Sequence, residues 1–146
     1  MTAPRTVNGR DINVAAAATR AVLTALLDEA GVTFDQFVAL RLMTIGGPGG
    51  RDEVAGRDTA PGADVTAIRA AITELEAAGL ATGDEPIEPT ERGRELFERV
   101  SGESLRLGDR LFEGIPADDQ VATKRVLDLI TERAVAMRAE LAGQPL

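Results

Sequence analysis

The chain has 146 residues, a net charge of −8, 44% hydrophobic and 27% charged residues, four Phe, and no Cys, Tyr or Trp; that length suffices for one domain with a core of Leu, Val, Ile and Ala. Without Cys there is no disulfide framework, thiolate nucleophile or thiolate metal site, and the acidic balance excludes a generally sticky nucleic-acid binder, so any DNA contact has to be local. No apolar run nears the roughly 20 residues of a membrane span, and Met1 to Asp11 lacks the apolar stretch of a signal peptide, so no membrane partner and a cytoplasmic location are expected.

Helix formers fill the stretch from Asn13 to Ala30, with Asn13 as the expected N-cap and Gly31 just past the end. Thr33 and Gln36 match a capping box ahead of Phe37, Val38, Leu40, Leu42 and Ile45, which predicts a second helix ending at Gly46. The run Gly46-Gly-Pro-Gly-Gly50 cannot be helical. It lacks the Gly-Lys-Ser/Thr ending of a phosphate cradle and is read as a plain flexible loop. Arg51 to Arg57 is long enough for two turns of helix before Thr59-Ala-Pro-Gly62 breaks it.

Asp64 caps a fourth predicted helix, Val65 to Ala78, whose Val65, Ile68, Ile72 and Leu75 share one face before Gly79. Around the turn cluster Thr82 to Pro86, Leu80-Ala81 and Ile87-Glu88 allow only a minimal hairpin. Thr90 caps a long helix carrying Leu96, Val100, Leu107 and Leu111 and ending at Gly114, with Gly102 and Gly108 weakening its middle. In the last helix, Ala117 to Ala142, residues Leu127, Ile130, Ala134, Met137 and Leu141 recur at steps of three and four. That is the seam of a helix packed along another, which favours packing over an effector-lining role for Met137 and the Leu stripe. Narrow apolar stripes on long helices at both ends of a short chain point to pairing between subunits, with packing inside one chain as the alternative.

The order of long helix, helix, short helix, capped helix, hairpin and two long helices is that of a winged helix-turn-helix, in which the capped helix enters the major groove and the hairpin lies on the backbone. The expected fold is mainly α, with long N- and C-terminal dimerisation helices (13–30 and 91–142), a winged helix-turn-helix module over 33–90 and a minimal β-hairpin wing, in a single domain over 1–146. Ile72-Thr-Glu-Leu-Glu-Ala-Ala-Gly-Leu80 resembles the end of the recognition helix in MarR-type transcriptional regulators, where Leu-Glu-x-x-Gly-Leu leads into the wing. Pro89-Thr-Glu-Arg-Gly-Arg-Glu-Leu96 is similar to that family's Leu-Thr-Pro-Glu-Gly-Arg opening of the next helix. The resemblance runs from about Val14 to Ala142 and includes Ile115-Pro-Ala-Asp-Asp119. It implies a homodimer, held by its first and last helices, that binds a pseudo-palindrome of double-stranded DNA and releases it when a small-molecule effector fills a cleft near those helices.

Two departures stand out. Ala70 occupies a position where the family often has Arg, and Gly83-Asp-Glu-Pro86 replaces a long wing with a basic tip. Residues 47–100 hold six Arg against twelve Asp or Glu, which leaves −6 of the total −8 in the module that should meet DNA. The expected DNA-binding residues are Thr66, Arg69 and Thr73 on the fourth helix, with Arg51, Arg92 and Arg94 on phosphates; for Arg69 the alternative is a solvated charge. No catalytic, cofactor or metal site is expected, because the chain has no His to support carboxylates such as Glu85 and Glu88 or Asp118 and Asp119, and an enzyme built on this fold has little support. The alternative function is a winged-helix dimer that has lost DNA binding and serves as a ligand- or protein-binding module.

Overall fold

The structure, a computed structural model, describes residues 3–60 and 63–143. It divides into two compact units, Met1–Arg106 and Leu107–Leu146. The element order is α1 (Gly9–Ala30), α2 (Phe34–Gly46), α3 (Arg51–Ala55), α4 (Val65–Ala77), β1 (Ala81–Gly83), β2 (Ile87–Pro89), α5 (Glu91–Phe112) and α6 (Ala117–Gly143).

In the first unit α1 starts five residues before the expected point, because Asn8 rather than Asn13 caps it. Asn8 accepts from the Asp11 amide at 3.0 Å while the Asp11 carboxylate accepts from the Asn8 amide at 3.0 Å. Asn13 would have Ala16 three residues on, which has no side chain to return the bond. Gly31, at φ 77°, closes the helix as expected. The capping box of Thr33 and Gln36 forms as read, with bonds of 3.0 and 3.1 Å. Helix α2 buries Ala39, Leu40 and Met43, whereas Ile45 is 71% exposed, since it lies about 200° around the helix from Met43.

The glycine run after α2 is tied down rather than plainly flexible. The Ile87 amide donates to the Gly49 carbonyl at 2.9 Å, adding a single β-bridge to the hairpin. Arg57 donates to the carbonyls of Leu42 and Gly47 at 3.1 and 2.7 Å, so its guanidinium ties the start of the glycine run to the last turns of α2. Helix α3 is shorter than expected and stops at Ala55, the amide of Gly56 closing the turn on Asp52. Of the expected break at Thr59 to Gly62, Pro61 and Gly62 lie outside the described residues.

Asp64 caps α4, its carboxylate accepting from the amides of Thr66 and Ala67 at 3.0 and 3.2 Å. The buried face is Ile68, Ala71, Ile72 and Leu75; Val65, read as part of it, is 39% exposed at the first turn. These side chains pack with Leu27, Val32, Leu40, Val54, Leu80, Ile87, Leu96 and Val100 in one cluster, and the rings of Phe37 and Phe97 stack at 5.6 Å beside it. Burying one such side chain is worth about 1.5–3 kcal/mol, so this cluster dominates the unit's stability.

The two motifs flanking the hairpin lock onto each other. Gly79, at φ 76°, ends the α4 turn, Thr90 Oγ1 donates to its carbonyl at 2.8 Å, and the Thr90 amide donates to the Leu80 carbonyl at 3.0 Å. The same hydroxyl accepts from the Gly93 amide at 3.1 Å, making Thr90 the expected cap of α5. A Cβ on Gly93 would stand 2.1 Å from the Leu80 carbonyl oxygen, closer than any real contact, so α5 crosses this backbone only because residue 93 has no side chain. The hairpin register pairs Ala81 with Pro89, Thr82 with Glu88 and Gly83 with Ile87.

In the second unit, α6 buries no residue. Val126, Leu127, Leu129, Ile130, Met137 and Leu141 are all among its exposed apolar side chains. At about 100° per residue they, with Ala122 and Ala134, cover an arc of roughly 160°, wider than the narrow seam expected. Gly102 and Gly108 do not interrupt α5.

Candidate nucleic-acid interface

Opposite the buried face of α4, the residues Thr66, Arg69 and Thr73 are all exposed. Their spacing of three and four places them in one stripe on the outside of the helix, as a groove-reading helix requires. Thr73 Oγ1 donates to the Arg69 carbonyl at 3.3 Å, which leaves the hydroxyl oxygen free to accept from outside. Ala70 and Ala67 flank the stripe without adding a polar group.

Arg69 is the stripe's only cation, and it is already paired: its Nε stands 2.7 Å from Oδ1 of Asp52 on α3, with side chains 52% and 81% exposed. Arg51 is held more firmly. Its Nε donates to Asp84 Oδ1 at 2.6 Å and its Nη2 pairs with Glu76, both guanidinium and Glu76 being under a third exposed. The hydrogen bond that Arg51 donates to Asp84 holds its guanidinium protonated to still higher pH than usual; burial opposes this and the negative charge of Glu76 adds to it. This side chain thereby straps the wing turn to the start of α3 and the end of α4.

Arg92 and Arg94 open α5, both exposed and without an ion pair among the described residues. They do not share a face, since two residues of helix separate them by about 200°. Arg92 lies over the end of α4, its Nη1 3.2 Å from where a Cβ of Gly79 would stand. The six predicted residues therefore form one continuous stripe on α4, a brace at Arg51 and two divergent cations on α5.

Four participants have roles that the sequence does not single out: Asp52, which meets Arg69 across 17 positions; Glu76 and Asp84, which meet Arg51 across 25 and 33; and Arg57, which also pairs with Glu53 at 3.4 Å. Only the last has a local signal, the i,i+4 spacing. These pairings also change how the acidic balance is read. Asp52, Glu53, Glu76 and Asp84 face arginines of the same module, and Glu74 accepts from Gln36 Nε2 at 2.7 Å.

Beside α1 and α5 a cavity of about 430 Å³ is lined by Leu26, Glu29, Ala30, Arg99, Val100 and Glu103. That is the size range of small-molecule sites. Among the described residues no cluster of side chains is suited to a metal ion, and no helix is long and apolar enough to cross a membrane.

No family model and no curated protein matches the sequence. Solved structures do. The MarR family protein Rv2887 of Mycobacterium tuberculosis in complex with DNA superposes with a TM-score of 0.68 at 25% identity, over 86% of this chain and 98% of that one. The organohalide-sensing transcriptional regulator RdhR-CbdbA1625 in its ligand-free form gives 0.72 at 15% identity, over 93% and 89%. CouR of Rhodococcus jostii RHA1 bound to p-coumaroyl-CoA gives 0.64 at 22%, over 82% and 88%. These neighbours are similar in fold across nearly their whole length, and the DNA-bound one also shares a quarter of its aligned residues. The chain has the winged helix-turn-helix fold of the MarR-type regulators.

Proposed function

We propose that this protein is a MarR-type transcriptional regulator that binds double-stranded DNA as a homodimer and responds to a small-molecule effector. The single observation that carries the reading is the exposed Thr66–Arg69–Thr73 stripe on a capped α4, in a fold superposable on a MarR family protein in complex with DNA. In this reading α4 enters the major groove, Arg69 meets a base edge or phosphate, and Arg92 supplies a phosphate contact beside the end of α4. Arg94, on another side of α5, meets a neighbouring phosphate. Arg51 acts as a brace that keeps the wing in place, since a phosphate contact would require it to leave both Glu76 and Asp84.

The partner is a second copy of the chain. A 27-residue helix with no buried side chain and a wide apolar arc is not held by its own propensity, and a matching surface on another copy covers it with closed two-fold symmetry. The cavity beside Arg99 is the proposed effector site, its lining of Leu26, Ala30 and Val100 with one guanidinium and two carboxylates suited to a small, largely apolar compound with a few polar groups. Support comes from neighbours bound to salicylic acid, to p-coumaroyl-CoA and to 2,4-dichlorophenol. Regulation of this kind needs no catalytic group and takes place in the cytoplasm beside the DNA.

Selection from a randomised duplex library tests the reading. A pseudo-palindrome with half-sites about 34 Å apart is expected, bound more weakly as salt rises; absence of enrichment for any sequence at low salt contradicts it. The second reading, a dimer without DNA binding, is favoured by the acidic module, the short wing and Ala70, together with the pairing of Arg51 and Arg69 with carboxylates, and a tight palindromic site rules it out.

A further inference from the structure

We infer that Asp52 is a specificity-determining residue, which suppresses binding to arbitrary DNA by disfavouring a phosphate at Arg69 while leaving a base edge acceptable there. The inference rests on the DNA-binding reading above. Asp52 reaches Arg69 at Nε, and the outer nitrogens Nη1 and Nη2 have no partner among the described residues. A guanidinium presents two parallel donors along that outer edge, the pair that meets guanine O6 and N7. A guanine edge is uncharged, so it can sit on the outer nitrogens while Asp52 stays on Nε. A phosphate carries a full negative charge and meets repulsion from Asp52 at close range.

The exposure of the pair matters as much as its geometry. Both side chains are more than half open to solvent, so the contact holds Arg69 only weakly and costs the fold little if removed. The half-buried Arg51, with two carboxylates, is by contrast unavailable as a substitute cation. Arg69 is thus the one positive charge on the reading stripe, and Asp52 decides what kind of acceptor it takes.

The test compares wild type with Asp52→Asn on two probes: the duplex most enriched by wild type from a randomised library, and a mixed-sequence duplex of equal length. The variant is expected to bind the mixed duplex about fivefold more tightly, with a salt slope steeper by about 0.9 as one more phosphate is neutralised, and to bind the enriched duplex as before. In an Arg69→Ala background the same substitution should do no more than Glu98→Gln, which removes an equal charge elsewhere on the module. Equal gains on both probes, or gains matched by Glu98→Gln, overturn the inference while leaving DNA binding intact. Binding to neither probe by either protein overturns the reading beneath it and the inference together. Arg69→Gln gives an independent arm: affinity for the enriched duplex should fall while the mixed duplex is little affected, and the reverse pattern contradicts the inference.

Discussion

The α4–hairpin–α5 junction and α6 differ in how their residues are satisfied. At the junction one threonine, the carbonyls of Gly79 and Leu80 and one glycine without room for a side chain fix the crossing of two elements, over a face of α4 buried to the last apolar residue after its first turn. Helix α6 is longer, equally regular and buries nothing. Regular secondary structure thus says little about self-sufficiency: the junction is satisfied within its own unit, whereas α6 presents an apolar arc and buries no residue.

The sharpest way to break this comparison is Gly93→Ala. A methyl group placed against the Leu80 carbonyl forces α5 away from the hairpin, at a cost of about 4 kcal/mol, visible as a shifted midpoint in urea unfolding; an unchanged midpoint would mean the crossing is loose. Ile130→Glu on α6 should leave the first unit's fold intact yet weaken self-association about 100-fold through the lost apolar burial. Sedimentation equilibrium reads this directly, and a wild-type mass for the variant would show that the arc is not the subunit interface. Arg69→Ala should weaken the enriched duplex by about 1–3 kcal/mol without changing stability, read by anisotropy titration beside thermal melts. Asp64→Ala, which removes the α4 cap, should cost about 1 kcal/mol of stability, the smallest effect and one confined to the junction's side of the comparison.

What could be read from the chain beforehand follows the range of each interaction. Caps work over three residues, so Thr33–Gln36, Asp64 and Thr90 were legible, and the error at α1 arose where Asn8 and Asn13 are both acceptable caps and only Asn8 has a reciprocating carboxylate. The periodicity of α4 gave Ile68, Ile72 and Leu75, but not that Val65 falls outside the core, because burial at a first turn depends on what lies beside it. The Thr-x-x-Gly run is legible as a resemblance, but its reason, a backbone crossing at residue 80, is tertiary. Asp52 and Asp84 were legible only as negative charge, since nothing local ties them to arginines 17 and 33 positions away. That is why composition alone makes the module hostile to DNA, while the structure shows four of its twelve acids holding three of its own arginines.

The central claim is that α4 reads duplex DNA through its exposed stripe, and parallel library selections with wild type and Arg69→Ala test it most directly. Wild type should enrich a two-fold related pair of half-sites, and the variant should keep the spacing while losing preference at one base position in each half. Identical preferences from the two proteins, or no preference from wild type, would contradict the claim.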